Sequence, residues 1–200
     1  IASDGTNGAI ITWQDYRSTS SSPGQGCDIY VQQVNSNGST LWANNGVVIC
    51  NAVNNQLYPA IISSDSGSAI ILWYDYRADG TNAHVYAQKI NSAGSTLWTS
   101  NGVAVCTAAK DQSYPTLISD GLGGAIFTWT DYRNGLNYHV YSQRLNSAGS
   151  PLWTTNGIII CTTSNFNQYS PSIETDGTGG AIIAWGDYRS GSNYDVYAQR

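Results

Sequence analysis

Ala69-Ile-Ile-Leu-Trp-Tyr-Asp-Tyr-Arg77 decides the fold, because its second half recurs. Trp73-Tyr-Asp-Tyr-Arg77 returns as Trp13-Gln-Asp-Tyr-Arg17, Trp129-Thr-Asp-Tyr-Arg133 and Trp185-Gly-Asp-Tyr-Arg189. Tyr76, Tyr132 and Tyr188 stand 56 residues apart. Tyr16 precedes Tyr76 by 60, because the first unit carries a longer loop that runs from Ser18 to Cys27. Pro59, Pro115 and Pro171 keep the same interval, as do Cys50 and Cys106, with Cys161 one residue early. Internal repetition at this period outranks local propensity in setting the architecture.

Within the opening stretch, Ala69, Ile71, Trp73 and Asp75 form one face, and Ile70, Leu72, Tyr74 and Tyr76 the other. Both are apolar at the start, the pattern of a strand buried on two sides. Upstream lies a shorter strand, 58–63, and a Gly-rich turn, Ser64-Asp-Ser-Gly67, matched later by Asp120-Gly-Leu-Gly-Gly124 and Asp176-Gly-Thr-Gly-Gly180. Downstream, a polar loop leads to a third strand, 84–90, then the turn Asn91-Ser-Ala-Gly94. A fourth region follows, 95–106, interrupted by Asn101-Gly102.

Four short strands per unit, repeated in tandem, predict an all-β chain of β-propeller-like blades, each burying its faces against a neighbour. The chain reads as one repeat domain, 1–200, of about three and a half units: 1–57, 58–113, 114–169 and 170–200, the first and last incomplete. A β-solenoid or a string of small β-sandwiches are the alternatives.

Composition agrees. Charged residues make up 10% of the chain, with 7 Trp, 14 Tyr and no Met. β-branched and aromatic residues with many Gly, Asn and Ser turns suit strands. The net charge of −5 offers no basic patch for nucleic acid. No apolar run reaches the length of a membrane span. The absence of an initiator Met and of a signal peptide reads as a mature or partial chain.

A catalytic site on a repeat scaffold needs singular groups, whereas a residue in every unit does the same task each time. All seven Trp fall in two repeated slots: Trp13, Trp73, Trp129 and Trp185, then Trp42, Trp98 and Trp153. They are expected to pack between blades, with sugar stacking as the rival reading. Seven of the eight basic residues also repeat. Arg17, Arg77, Arg133 and Arg189 close the motif, and Lys89, Arg144 and Arg200 share a slot held by Gln33 in the first unit; Lys110 stands outside. Asp15, Asp75, Asp131 and Asp187 lie two residues before the motif Arg, where a charge-assisted Asp–Arg hydrogen bond is expected. Tyr16, Tyr76, Tyr132 and Tyr188 complete this structural motif. No catalytic or cofactor-binding residue is assigned.

The remaining candidates are few. His84 and His139 share a slot with Asp28 and Asp195, which predicts a solvated strand start. The Asp-Gly turns each offer one carboxylate where Ca²⁺ wants six to eight oxygens, so no cofactor is expected, calcium being the one the turns suggest. Cys50, Cys106 and Cys161 read as buried fillers. Cys27 ends the long first loop, and antiparallel pairing about the turn Asn35-Ser-Asn-Gly38 would bring it near Cys50, predicting a disulfide and an oxidising location. Asn37 opens the N-glycosylation sequon Asn37-Gly-Ser39.

The stretch from Asp176 to Arg200, with Leu152-Trp-Thr-Thr-Asn-Gly157 and Ile158-Ile-Ile-Cys161 before it, resembles tandem repeats of large secreted or surface proteins of environmental, Bacteroidota-like bacteria. The resemblance spans the chain. It implies propeller-type blades, export and often a C-terminal sorting domain, and brings no catalytic residues.

The resulting expectation is a non-enzymatic extracellular or cell-surface scaffold, including a filament subunit completed by strands of neighbouring chains. Its partners would be identical chains or further repeats, and glycans. A carbohydrate-binding, lectin-like propeller is the alternative. A propeller glycosidase is disfavoured; it would need two non-equivalent carboxylates, such as Asp79, Asp111 or Glu174, facing one pocket.

Overall fold

The computed structural model describes residues 1–17, 26–162 and 165–200. Most of the long first loop, 18–25, therefore lies outside the described residues. Every sheet is an antiparallel meander of consecutive strands, the blade of a β-propeller. Blade 1 holds β1 (Ala2–Ser3), β2 (Ala9–Asp15), β3 (Asp28–Val34) and β4 (Val47–Cys50). Blade 2 holds β5 (Gln56–Ser63), β6 (Ala69–Asp75), β7 (His84–Ile90) and β8 (Val103–Cys106). Blade 3 holds β9 (Gln112–Ser119), β10 (Ala125–Asp131), β11 (His139–Leu145) and β12 (Ile158–Ile159). Blade 4 has three strands, β13 (Gln168–Thr175), β14 (Ala181–Asp187) and β15 (Asp195–Gln199). Among the described residues the one helical turn is Asp65–Gly67, and no helix is long and apolar enough to cross a membrane.

The chain divides into two compact units, Ile1–Thr81 with Tyr86–Ala104, and Asn82–Val85 with Val105–Arg200. In the first, Ile10 and Val31 of blade 1 pack with Ala69, Ile71 and Trp73 of blade 2. In the second, Ile126 and Val140 of blade 3 pack with Ile173, Ile183 and Trp185 of blade 4. The second strands of blades 2 and 3, β6 and β10, are buried almost throughout, as two apolar faces require, whereas β2 and β14 are only partly covered. Trp73 and Trp129 are fully buried, and Trp185 is 5% exposed.

The repeated Asn-Gly pair caps this tryptophan. Gly102 has φ of 84°, and a Cβ there would sit 2.4 Å from the Trp73 ring and 2.7 Å from the Ala87 carbonyl oxygen. Only Gly combines that left-handed backbone with so close an approach. The second tryptophan slot ties blade to blade within the first unit: Trp42 Nε1 donates to the Ser92 carbonyl at 3.1 Å.

Three sequence expectations need correction. The first strand of a blade starts two residues earlier than read, at Gln56, Gln112 and Gln168. Its register breaks between Leu57 and Ala60, and the bulge puts Tyr58 at φ 52°, its N–H satisfied by Gln14 Oε1 at 3.0 Å. The following proline, which has no N–H for the ladder, sits where the bulge needs none. Secondly, the strand start shared by His84, His139, Asp28 and Asp195 is solvated only at Asp195; His139 is half-buried, and His84 and Asp28 are 6% and 1% exposed. His84 Nδ1 meets Gln112 Oε1 at 2.8 Å, so a buried glutamine in the next blade's first strand serves the slot. Thirdly, Cys27 and Cys50 form no disulfide; all four cysteines are buried and none is disulfide-bonded. Pairing puts Ile29, not Cys27, opposite Cys50, and the Cys50 thiol faces Asp75 at 3.9 Å and Arg77 at 3.1 Å. Burial pushes the Cys50 and Cys106 thiols up to about 12, so both stay protonated.

Candidate functional site

The Trp-x-Asp-Tyr-Arg motif builds a Trp–Asp–Arg network in each blade, complete in blades 2 and 3, whereas in blade 4 the buried Arg189 Nε has no partner. Strand geometry puts Trp73 and Asp75 on one face, and the Trp73 indole N–H donates to Asp75 Oδ2 at 2.7 Å. Asp75 Oδ1 accepts the Arg77 backbone N–H and Nε, and its Oδ2 meets Arg77 Nη2 at 2.6 Å. The guanidinium lies over the Tyr86 ring, 4.0 Å from its centre, and also donates to the Asn101 carbonyl at 2.7 Å. Arg133 repeats every one of these contacts with Asp131, Tyr141, Asn156 and Cys106. This is a fully engaged, partly buried fastening, and the expected Asp–Arg bond is its centre.

A second fastening ties the strand-one turn to strand three. Lys89 pairs with Asp65 at 2.6 Å, Arg144 with Asp120 at 3.0 Å and Arg200 with Asp176 at 2.9 Å. In the first unit uncharged Gln33 donates to Asp4 at 2.9 Å. The turn carboxylates that suggested calcium are thus occupied, and among the described residues no three His, Cys, Asp or Glu gather as a metal site.

Both fastenings predict an acid transition. Burial alone would raise the Asp187 carboxyl, but hydrogen bonds from Arg189 and Trp185 overcome it and hold it at about 2. The Thr6 backbone N–H and the Gln33 amide bring Asp4 to about 2. A carboxyl depressed on folding contributes its stability above the unfolded value, roughly 4, and loses it as pH falls through the folded value. The melting temperature should therefore hold above about pH 4.5 and fall steeply toward about pH 2. A flat thermal-unfolding profile over that range would contradict the assignment.

The singular residues lie elsewhere, where blades 3 and 4 depart from the repeat. The slot filled by Cys27 and Ala83 becomes Tyr138 and Tyr194, and the slot of Leu57 and Ser113 becomes Tyr169. Asp131 pairs with His139 and Asp187 with Asp195 across their strands, which brings Tyr138 beside motif Tyr132 and Tyr194 beside motif Tyr188. The rings meet at 4.4 Å and 5.0 Å between centres. Tyr169 joins the two pairs, 5.0 Å from Tyr138 and 5.9 Å from Tyr194. Phe166 extends the row from Tyr188 at 6.3 Å. Tyr169 pairs with Gly186, and the Tyr194 ring rests 3.7 Å from where a Gly186 Cβ would stand. The other blades hold Gln14, Tyr74 and Thr130 at that position.

This row of six rings stays open to solvent: Tyr194 is 53% and Phe166 41% exposed, and the other four are half-buried. Burial raises Tyr138 and Tyr169 above the ordinary phenol range, so their hydroxyls remain protonated donors at neutral pH. The adjoining loops add amides and hydroxyls: Asn134, Asn137, Asn167, Ser190 and Asn193. Sequence reading missed Tyr138, Tyr169 and Tyr194 as a group, although their signal was present as breaks in the template. The carboxylates singled out by sequence are placed separately: Asp79 accepts the Thr81 N–H, Asp111 the Ala83 N–H, and the exposed Glu174 the Thr175 N–H at the end of β13. Asn37 is exposed on its turn.

No protein-family model matches the chain, and no curated protein sequence matches it. Solved structures do share its architecture. An endo-arabinase from Bacteroides thetaiotaomicron is 12% identical with a TM-score of 0.45, covering 90% of this chain and 67% of its own. An α-L-arabinofuranosidase from Lactobacillus brevis is 9% identical, TM-score 0.45, covering 87% and 62%. A sucrose-6-phosphate hydrolase from Lactobacillus gasseri is 11% identical, TM-score 0.49, covering 96% and 43%. The chain spans well under the full length of each, and at these identities the likeness is one of fold.

The comparison corrects the expectation of a non-enzymatic scaffold or filament subunit. The similar solved structures are glycoside-cleaving enzymes, so a tandem β-blade architecture does not separate this chain from enzymes. The physical reason is that a propeller needs only a few loop and edge positions for a site. A predominance of template residues therefore leaves that capacity untouched.

Proposed function

We propose that the chain is a carbohydrate-recognising β-propeller, whose glycan-binding surface is the tyrosine row of blades 3 and 4. The observation that carries this is the unbroken series Tyr132, Tyr138, Tyr169, Tyr194, Tyr188 and Phe166, built largely from residues that depart from the repeat. A phenol ring offers an apolar face to the C–H face of a sugar and a hydroxyl to its oxygens. Amide-rich loops beside the rings suit the remaining sugar hydroxyls. The resemblance to exported bacterial repeats supports a place outside the cell, where polysaccharide is met.

The test is titration of the chain with soluble polysaccharides, read by calorimetry and, in the same samples, by release of reducing ends. Tyr194→Ala should weaken binding about tenfold, and Tyr138→Ala by a similar factor, the loss of one aromatic contact. Tyr58→Ala, outside the row, should leave affinity unchanged. Equal binding by all three variants would overturn the proposal.

A further inference from the structure

We infer that the row takes a neutral glycan, held along the length of its chain rather than by a terminal residue; this rests on the carbohydrate-recognition reading above. The charge distribution argues for neutrality. Residues 105–200 contain five basic side chains: Lys110, Arg133, Arg144, Arg189 and Arg200. Arg133 and Arg189 are drawn inward, each paired with its motif aspartate and lying over Tyr141 or Tyr197. Arg144 and Arg200 serve the turn carboxylates Asp120 and Asp176, at the strand ends away from the tyrosines. Lys110 is the remaining cation, and Asp111 follows it, a carboxylate close enough to Tyr138 to oppose its ionisation.

A uronate or sulfate sugar needs guanidinium or ammonium partners at its charges. The surface offers phenols and amides instead, with a carboxylate at its edge, so an anionic chain would meet repulsion rather than an ion pair. A neutral sugar chain meets apolar faces, hydroxyls and amides that match its own groups.

The shape argues for binding along the chain. Two ring pairs, one per blade, are joined by Tyr169, and adjacent centres lie between 4.4 and 6.3 Å apart. The planes of neighbouring rings differ by 26° to 68°, so along this one surface successive sugar units would meet ring faces and ring edges in turn. A terminal residue would call for one enclosed pocket with convergent polar groups. Tyr169, as the joining ring, matters to a ligand that crosses both blades and little to one that rests on a single pair.

The experiment uses the whole chain with defined probes: a linear arabinan, a mixed-linkage glucan and polygalacturonate, with gluco- and arabino-oligosaccharides from disaccharide to hexasaccharide. A neutral polymer should bind, polygalacturonate should not, and affinity should hold within about twofold between about 0.02 M and about 0.5 M NaCl. Affinity should rise about tenfold or more from disaccharide to hexasaccharide. Tyr169→Ala should remove most of that length dependence while the disaccharide is held as before. Tyr169→Phe should keep it, and a thermal melt of each variant shows that the fold is intact.

Salt-sensitive binding of polygalacturonate, with none of the neutral polymers, would overturn this inference and leave carbohydrate recognition standing. Equal affinity for disaccharide and hexasaccharide would overturn the chain-length half. Binding of no probe would overturn both this inference and the proposed function beneath it.

Discussion

Replacing Asp131 with Ala should lower stability by about 3–5 kcal/mol, the cost of breaking a buried pair while one partner stays in place. Asp131 is 1% exposed and accepts five hydrogen bonds: from the Trp129 indole, the Arg133 backbone N–H, Arg133 Nε and Nη2, and the Cys106 thiol. Without it the guanidinium keeps its place over Tyr141 with no counter-charge, and a fully buried indole N–H loses its acceptor. At roughly 2–4 °C per kcal/mol for a chain of this size, the melting temperature should fall by about 10 °C or more. Asp131→Asn retains an acceptor for the indole and should lose less. Glycan binding by either variant, measured below its melting point, should persist, because the carboxylate itself lies inside the blade. Wild-type stability in Asp131→Ala would remove the fastening from this account.

Trp73→Ala should cost a similar amount, about 3–5 kcal/mol, the usual penalty for removing a large ring from a packed core. Trp73 is fully buried, stacks on Tyr86 with centres 6.4 Å apart and supports the Gly102 turn. Its removal leaves a cavity beneath that turn and takes a donor from Asp75. Trp73→Phe, which fills part of the space but supplies no N–H, should fall between. The exposed Leu122→Ala, by contrast, should stay within about 0.5 kcal/mol of wild type. Denaturant unfolding of the three variants orders them, and a Trp73→Ala protein as stable as Leu122→Ala would contradict the packing described.

Much of the blade was legible in the sequence because it obeys short-range rules. The third strand, 84–90, has the ends that its alternation marks locally, while of the fourth region, expected over 95–106, only 103–106 is a strand, after the Asn-Gly turn. The Asp–Arg bond followed from two-residue spacing on one strand. The early start of the first strand was hidden by the Tyr58-Pro59 bulge, because proline reads as a strand boundary when it is instead an unpaired position inside one. The Cys27–Cys50 pairing fails for a related reason: Ile29, two residues further along, takes the place opposite Cys50. The tyrosine row was the hardest to see. Tyr138 and Tyr169 are distant in sequence and meet through blade packing, which no local pattern encodes. What the sequence did contain was the change of slot, from Cys27 and Ala83 to Tyr138 and Tyr194.

The bulge has one more consequence. Tyr58, Tyr114 and Ser170 share a φ of 51–52°, although a tyrosine ring and a serine hydroxyl have little in common, and all three are exposed. The backbone there is set by the broken register and the proline behind it, not by the side chain in front. Blades 2, 3 and 4 thus each carry one display position whose occupant can be exchanged without renegotiating the core. A lineage of such repeats can diversify what its rim presents while inheriting the same architecture, and blade duplication supplies new surfaces already folded.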